Sequence, residues 1–324
     1  MAPADASTMS ETLILRSGGP GLPASDLYEE IDKRVEGRVR LARTPAEERD
    51  LIETATVVTG YGLEASLLDR AERLDLYAHV GIGTDGLPMD LLEEKGVAVT
   101  NASGLMPQIA EQVIGYLLYF SRRFEAARRQ MDDRTWQRFQ PTSLRGSTVT
   151  IVGLGSIGHQ LAARLEGFKV ETIGVRYSPE KGGLTDEVIG YDDDAIHDAL
   201  SRTDYLVLGC PLTDETRGLI GEAELATLPT SAVLANVARG EVVDTDALTA
   251  VLRNNTLGGA ALDVTDPEPL PEDHPLWVFD DVLITPHTAG NTREYWTTFA
   301  EHLAENLRQA EEKGSFEGLN NQVQ

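Results

Sequence analysis

The sequence predicts an α/β protein made of two units, each a parallel sheet flanked by helices. Three observations predict it. An apolar, β-branched run, Thr148-Val149-Thr150-Ile151-Val152, ends abruptly in Gly153-Leu154-Gly155-Ser156-Ile157-Gly158, and a helical pattern from His159 to Gly167 follows. Short apolar runs alternate with helical patterns on both sides of that turn, as parallel strands joined by crossover helices require. A length of 324 residues with 41% hydrophobic content is enough for two cores.

Taken in order, residues 12–15 read as a first strand and residues 39–42 and 55–58 as the next two. Residues 74–80 form another strand that runs into Gly81-Ile82-Gly83. Helical patterns lie at 64–73 and 89–95, the second stopped by Gly96. Residues 97–100 close this set, a first α/β unit up to about Asn101 without a glycine fingerprint. Pro107 opens a long helical pattern to about Met131, in which Ile109, Val113, Leu117, Phe120 and Phe124 recur at three and four. Tyr116 and Tyr119 widen its apolar face, which suits a core helix and an interdomain or subunit contact equally. The second unit begins at Thr148, with further strands at 170–175, 205–208, 232–237, 258–263 and 281–285. Helices are expected at 193–201, 222–227 and 245–254, and a long one after Gly290 to about Lys313.

The charge narrows the function classes. There are 53 acidic residues against 28 basic, a formal −25, and only five of the basic residues are lysines. Repulsion of that size destabilises a compact state at low salt and is screened when the Debye length falls to about 3 Å near 1 M. Scarce lysine beside abundant carboxylate predicts adaptation to high salt; an ordinary acidic surface is the other reading. Phosphates would be repelled, which argues against a non-specific nucleic-acid binder. No apolar run approaches the ~20 residues of a membrane span. Residues 1–10 are small and polar with no basic segment, so no secretory leader is expected. The single Cys210 excludes an intramolecular disulfide and fits a reducing cytoplasm.

Strand, glycine turn and helix together point to dinucleotide binding. Gly153 permits the sharp turn, Gly155 a close approach to a pyrophosphate, and Gly158 the packing of helix on strand. The N-terminal amides around Ser156 and Ile157, with the positive end of the helix dipole, face the phosphates. At the end of the next strand such units usually carry an acidic residue that binds the ribose hydroxyls. Here Arg176 follows Val175, 18 residues after Gly158. An arginine cannot accept those hydrogen bonds but can grip a 2′-phosphate, with Tyr177 and Ser178 adding a ring and a hydroxyl. This predicts NADPH over NADH. The other reading is an exposed arginine, with the ribose held elsewhere.

Three further stretches look catalytic: residues 236–240 (Asn-Val-Ala-Arg-Gly), 263–271 (Asp-Val-Thr-Asp-Pro-Glu-Pro-Leu-Pro) and 285–290 (Thr-Pro-His-Thr-Ala-Gly). With the glycine fingerprint, the 80–85 stretch and the Cys-Pro-Leu-Thr at 210–213, they make the sequence resemble the D-2-hydroxyacid dehydrogenase family over nearly its whole length. The resemblance implies a Rossmann coenzyme-binding domain, residues 105–289, inserted into a smaller flavodoxin-like α/β substrate domain, residues 1–104 and 290–324. It implies a cleft between the domains that closes over the substrate, and a homodimer built largely through the Rossmann domain.

Reducing a 2-oxo acid needs a hydride donor, a carboxylate anchor and a proton donor. Arg239 offers a planar fork for the carboxylate and the adjacent carbonyl. His287 can give a proton near neutral pH and take it back. Glu268 would favour the imidazolium and orient the ring. Family members carry these roles at the matching positions, and the amides of Ile82 and Gly83 match the substrate-carboxylate loop. Asp263 matches the position that holds the nicotinamide carboxamide; capping a turn after the strand is its other reading. Cys210, Pro211, Thr216, Val237, Ala238, Ala289 and Gly290 are the further cofactor-facing residues expected, with the Cys210 thiol there for packing. Taken singly, Arg239 fits a turn, Glu268 a surface loop between prolines and His287 a loop histidine. The other five histidines read as structural, and no cluster has metal-ligand spacing.

Side-chain specificity is expected from the first unit, around Tyr61, Leu105, Met106 and Trp296. Ser156, Thr265 and Arg176 depart from common family residues. The chain stops at Gln324, so the regulatory domain of some phosphoglycerate dehydrogenases is not expected. Two rivals share the fold. A formate-type dehydrogenase resembles a glutamine where Glu268 stands. A nucleotide-sensing binding protein like the C-terminal-binding-protein co-repressors would carry a long disordered tail.

Overall fold

The computed structural model describes residues 11–16, 23–104 and 107–323. The chain divides into two compact units, Met1–Met106 with Asn291–Gln324, and Pro107–Gly290.

In the first unit the strands β1 (Glu11–Ile14), β2 (Arg38–Leu41), β3 (Val57–Gly60), β4 (Leu76–His79) and β5 (Ala98–Thr100) are parallel, in the order β5-β4-β3-β1-β2. A short edge strand, Gln322–Val323, runs antiparallel to β5. β3 and β4 are buried on both faces, which is why they show no alternation of apolar and polar residues, and even their Thr59 and His79 are buried. One face packs Ile14, Val57 and Leu76 on Leu27 and Ile31 of the Ala24–Asp32 helix and on Tyr295, Phe299 and Leu303 of the Arg293–Lys313 helix. The other packs Leu13, Val58 and Tyr77 with Leu68, Leu92 and Val97.

Two helices here escaped the sequence reading. Ala24–Asp32 buries only Leu27 and Ile31, a stripe one residue wide. Pro45–Leu51 carried a clear signal: the Thr44 side chain accepts from the Glu47 amide, and proline opens the first turn. The helix expected over 64–73 shrinks to Ala65–Leu68. After Leu68 the segment is mostly charged and polar, so little in it could hold a longer helix to the sheet.

In the second unit seven strands are all parallel: β6 (Thr148–Val152), β7 (Glu171–Val175), β8 (Glu187–Ile189), β9 (Tyr205–Leu208), β10 (Val233–Asn236), β11 (Gly259–Leu262) and β12 (Val282–Ile284). Their order is β12-β11-β10-β9-β6-β7-β8, so the winding reverses between β6 and β9. Ligands of open α/β sheets bind at such a reversal, outside the carboxyl ends of the strands. The short, half-buried β8 was not anticipated.

The long helix expected from Pro107 is two helices, Gln108–Ser121 and Phe124–Asp132. Arg123 between them has φ 55°, in the left-handed region, and breaks the ladder. The first helix buries Ile109, Val113, Tyr116 and Leu117; the second buries nothing, and Phe124 is exposed. The apolar periodicity therefore runs past the point where it has a core to face.

Candidate active site

In a parallel sheet every carboxyl end lies on one edge. From β7 to β12 that edge presents, strand by strand, Arg176, the Gly153 turn, Cys210, the Arg239 turn, Asp263 and the His287 turn. Gly153 and Cys210, 57 positions apart in the chain, become neighbours because β6 and β9 do.

The glycine turn is built as a phosphate cradle must be. Gly153 has φ +102°, and a Cβ on it would sit 2.6 Å from the Cys210 backbone. A Cβ on Gly158 would sit 2.2 Å from the Gly153 carbonyl oxygen. Gly155 caps the Ser156–Leu165 helix and has nothing within 4 Å of where its Cβ would be. No side-chain hydrogen bond caps that helix, so its first amides, including those of Ser156 and Ile157, are left for a ligand by the helix itself. These residues fit a dinucleotide pyrophosphate.

Arg176 is half-buried; its amide donates to Ile189 O at 3.0 Å and Nη1 to Gly182 O at 2.6 Å. It thus also ties down the loop after β7, where Tyr177 is exposed and Ser178 half-buried. Cys210 is buried, and burial pushes its thiol up to about 11, so it packs rather than reacts. Thr216 donates its hydroxyl to Pro211 O at 2.7 Å and accepts the Thr213 amide at 2.8 Å, tying the 211–216 turn together. Val237 and Ala238 are buried, and the Val237 amide donates to Leu208 O.

Buried Asn236 shapes the Arg239 turn. Its Nδ2 donates to Arg239 O at 2.8 Å and its Oδ1 accepts the Ala238 amide at 3.0 Å. The Arg239 guanidinium donates from Nη1 to Ala238 O at 2.7 Å. Gly240 lies so close to the Thr265–Asp266 peptide that a Cβ would be 2.1 Å from it, which brings the Arg239 turn against the Glu268 loop.

His287 Nδ1 and Glu268 Oε1 are 2.8 Å apart. That hydrogen bond is the largest influence holding the Glu268 carboxyl below its ordinary range, opposed by burial and assisted by the imidazole charge, the Thr265 backbone and the Arg239 guanidinium. A carboxylate only accepts, so Nδ1 carries the hydrogen and Nε2 is the nitrogen left to exchange a proton.

Asp263 is 4% exposed and organises the loop that bears His287. Its carbonyl accepts the His287 amide at 2.8 Å. Oδ1 accepts the Thr285 hydroxyl at 2.5 Å and the Thr288 amide at 3.0 Å, and Oδ2 the Ala289 amide at 3.0 Å. Gly290 O accepts from Gln108 Nε2 at 2.7 Å. Turn capping by Asp263 is therefore present in full, whatever else it holds. Sequence reasoning missed Asn236 and Thr285 as shaping residues. Asn236 had a signal, an Asn closing a strand two residues before the amide it caps.

In the first unit, Gly81-Ile82-Gly83 follows β4. The Ala102 amide donates to Gly81 O at 2.9 Å and Asn101 Nδ2 to Ile82 O at 2.7 Å. His79 is buried and lies 3.1 Å from the Tyr77 hydroxyl; a Cβ on Gly81 would sit 2.6 Å from its Nε2. The Tyr61 ring lies 5.4 Å from the His79 ring. Leu105 and Met106 lie outside the described residues. Trp296 is corrected to a core residue: it is 3% exposed and packs with Tyr295 and Phe299, as an apolar side chain on the buried face of a long helix should.

An all-parallel sheet with this reversal and this glycine turn defines a Rossmann-type dinucleotide-binding unit. A family model described as D-isomer specific 2-hydroxyacid dehydrogenase, NAD binding domain, matches residues 114–289. The chain is 34% identical over 255 residues to a glyoxylate reductase of Aeropyrum pernix, covering 76% of each chain. It is 32% identical over 298 residues to a D-3-phosphoglycerate dehydrogenase of Methanocaldococcus jannaschii, covering 89% of this chain but 56% of that longer one. Among solved structures, a D-isomer specific 2-hydroxyacid dehydrogenase from Xanthobacter autotrophicus Py2, in complex with NADPH and MES, is similar with a TM-score of 0.81 and 27% identity over 98% of both chains. The chain belongs to the D-isomer specific 2-hydroxyacid dehydrogenase family. It is an NAD(P)-dependent oxidoreductase of that family, and among the described residues no helix is long and apolar enough to cross a membrane.

Proposed function

We propose that the protein reversibly reduces small 2-oxo acids to D-2-hydroxy acids, with NADPH as the preferred cofactor. The observation that carries the reading is the 2.8 Å His287–Glu268 pair, formed between the loops after β12 and β11, the second of which follows the strand paired with β10, where the Arg239 turn begins. A bound nicotinamide supplies the hydride at the substrate carbonyl carbon. Arg239 binds the substrate carboxylate and carbonyl oxygen, and the amides of Ile82 and Gly83 take the carboxylate as well. His287 gives a proton from Nε2 to the carbonyl oxygen as it gains charge, and Glu268 stabilises and orients the imidazolium before that transfer. In the reverse direction His287 takes the proton back. Gly155, Ser156, Ile157 and Gly158 hold the pyrophosphate. Asp263 caps the His287 turn and offers the remaining capacity of Oδ2 to a carboxamide. Tyr61 and Met106 contribute to substrate choice.

The test is a panel of 2-oxo acids with NADPH and NADH at molar salt. Turnover of glyoxylate or hydroxypyruvate supports the reading. Tight cofactor binding with no turnover of any acid would instead favour the nucleotide-sensing binding protein. The NADPH preference rests on Arg176 and on the NADPH held by the similar Xanthobacter protein. Arg176→Asp is expected to move the ratio of kcat/KM for the two cofactors at least tenfold toward NADH, since a guanidinium–phosphate contact is replaced by a like charge. An unchanged ratio refutes the assignment.

The homodimer implied by the family is supported by an exposed apolar stretch in the second unit: Phe124, Met131 and Trp136 are 53%, 68% and 98% exposed. Salt adaptation rests on the charge of −25. The denaturation midpoint is expected to rise between about 0.1 M and about 2 M KCl as repulsion is screened. A midpoint that falls with salt ends that idea.

A further inference from the structure

We infer that Tyr116, in the middle of the Gln108–Ser121 helix, is a positioning residue for His287, acting through Thr285 and Asp263. The inference rests on the proposed role of His287 and deepens it.

His287 has φ 51°, a backbone conformation that a residue with a β-carbon rarely adopts and that persists only when its surroundings impose it. Three amides of its turn are held by one residue. The His287 amide donates to Asp263 O, the Thr288 amide to Asp263 Oδ1 and the Ala289 amide to Asp263 Oδ2. The turn, and with it the direction in which the imidazole leaves the backbone, follows the orientation of the Asp263 carboxylate.

That orientation is set from the far side. The carboxylate only accepts, so at 2.5 Å the Thr285 hydroxyl is the donor. Having spent its proton, Thr285 Oγ1 must accept from the Tyr116 hydroxyl, also at 2.5 Å. Tyr116 O–H, Thr285 O–H and Asp263 carboxylate therefore form one directed chain, with Asp263 Oδ1 itself 3.5 Å from the phenol oxygen. Tyr116 is 2% exposed, and burial raises its hydroxyl to about 12, so it remains a donor across the working range. An apolar side chain would fill this place without desolvating a phenol. The hydroxyl instead meets the one threonine that fixes the carboxylate under the His287 turn. The charged groups around the imidazole include Glu268, bonded to Nδ1; Asp263, beneath the turn; and Arg239, which acts on Glu268.

Tyr116→Phe keeps the ring and removes only the donor. The expected result is a kcat about tenfold lower with KM and NADPH affinity within about twofold, because a slightly misdirected proton donor slows the chemical step without weakening binding. Thr285→Val is expected to match it, and Thr285→Ser, which restores the hydroxyl, to recover most of the loss. A second readout needs no turnover. In protein labelled with 15N-histidine, the Nδ1–H resonance of His287, assigned by its loss in His287→Asn, should weaken in Tyr116→Phe and Thr285→Val and persist in Thr285→Ser. The inference is overturned by an unchanged kcat and an unchanged resonance in Tyr116→Phe. It is equally overturned if cofactor affinity and thermal midpoint fall as steeply as kcat, which would mark Tyr116 as general packing. Should Tyr116→Phe not fold, the two Thr285 variants decide. If the native protein turns over no 2-oxo acid, the proposed reaction fails, while the resonance still decides whether Tyr116 positions His287.

Discussion

Replacing His287 by asparagine is expected to lower kcat for 2-oxo acid reduction by about 10²–10⁴-fold, the range that a positioned general acid contributes. Asparagine is the informative substitution for two reasons. It tolerates a positive φ better than other residues with a β-carbon, so the 51° backbone of position 287 need not change. Its amide can also donate to Glu268, preserving the 2.8 Å contact in kind while removing the nitrogen that exchanges a proton. KM and NADPH affinity should therefore stay within severalfold of native, since Arg239 and the glycine turn are untouched. A loss confined to kcat is the signature of an interaction made in the transition state alone. Steady-state kinetics with glyoxylate, and a fluorescence titration with NADPH, read the two quantities apart. A kcat within a few-fold of native would remove His287 from the mechanism.

Gly158→Ala is expected to cost both stability and cofactor binding. Alanine is the better helix former by about 1 kcal/mol, so on local propensity alone the substitution would stabilise the Ser156–Leu165 helix. The clash outweighs that gain. The new Cβ would lie 2.2 Å from the Gly153 carbonyl oxygen, a backbone atom of the very turn that must hold its shape. Relief requires the helix to move off β6, and overpacking of this kind costs about 1–3 kcal/mol. The same movement displaces the helix amides from the phosphates, so NADPH affinity should fall by more than about tenfold. Gly155→Ala is the matched control. Nothing lies within 4 Å of its Cβ position, so its thermal midpoint should be close to native while NADPH affinity still falls, because the added methyl occupies the approach to the pyrophosphate. Thermal melts with and without NADPH distinguish the two. A Gly158→Ala protein with native stability and native affinity would mean that the turn is not the cradle.

Much of the fold could be read ahead of the coordinates where burial and periodicity agree. The second unit is the clearest case, because strands covered on both faces, such as β9 and β10, leave unbroken apolar runs. The reading failed where pattern and burial part company. Phe124 continues the spacing of Ile109, Val113 and Leu117 but has no core above it, and the helix ends before it. Leu27 and Ile31 are too thin a stripe to stand out from their acidic neighbours, yet they anchor a core helix. The site shows the same division. Arg239, Glu268 and His287 could be named as candidates because their chemistry is distinctive in type and order. Asn236, Thr285 and Tyr116 could not, because an amide, a hydroxyl and a phenol acquire a role only from what they face.

The sequence by itself determined the α/β class, the glycine turn between strand and helix, and the inventory of groups able to bind an anion or move a proton. These follow from local rules: backbone freedom at glycine, alternation of strand and helix, and side-chain chemistry. Only the tertiary structure decided that Glu268 takes Nδ1 of His287, that buried Asp263 accepts three amides of the His287 turn, and that a phenol 169 residues before Thr285 meets the Thr285 hydroxyl. Hydrogen bonds between strand ends depend on which strands become neighbours. That order is settled by how the helices cover the sheet, and no local stretch of the chain encodes it.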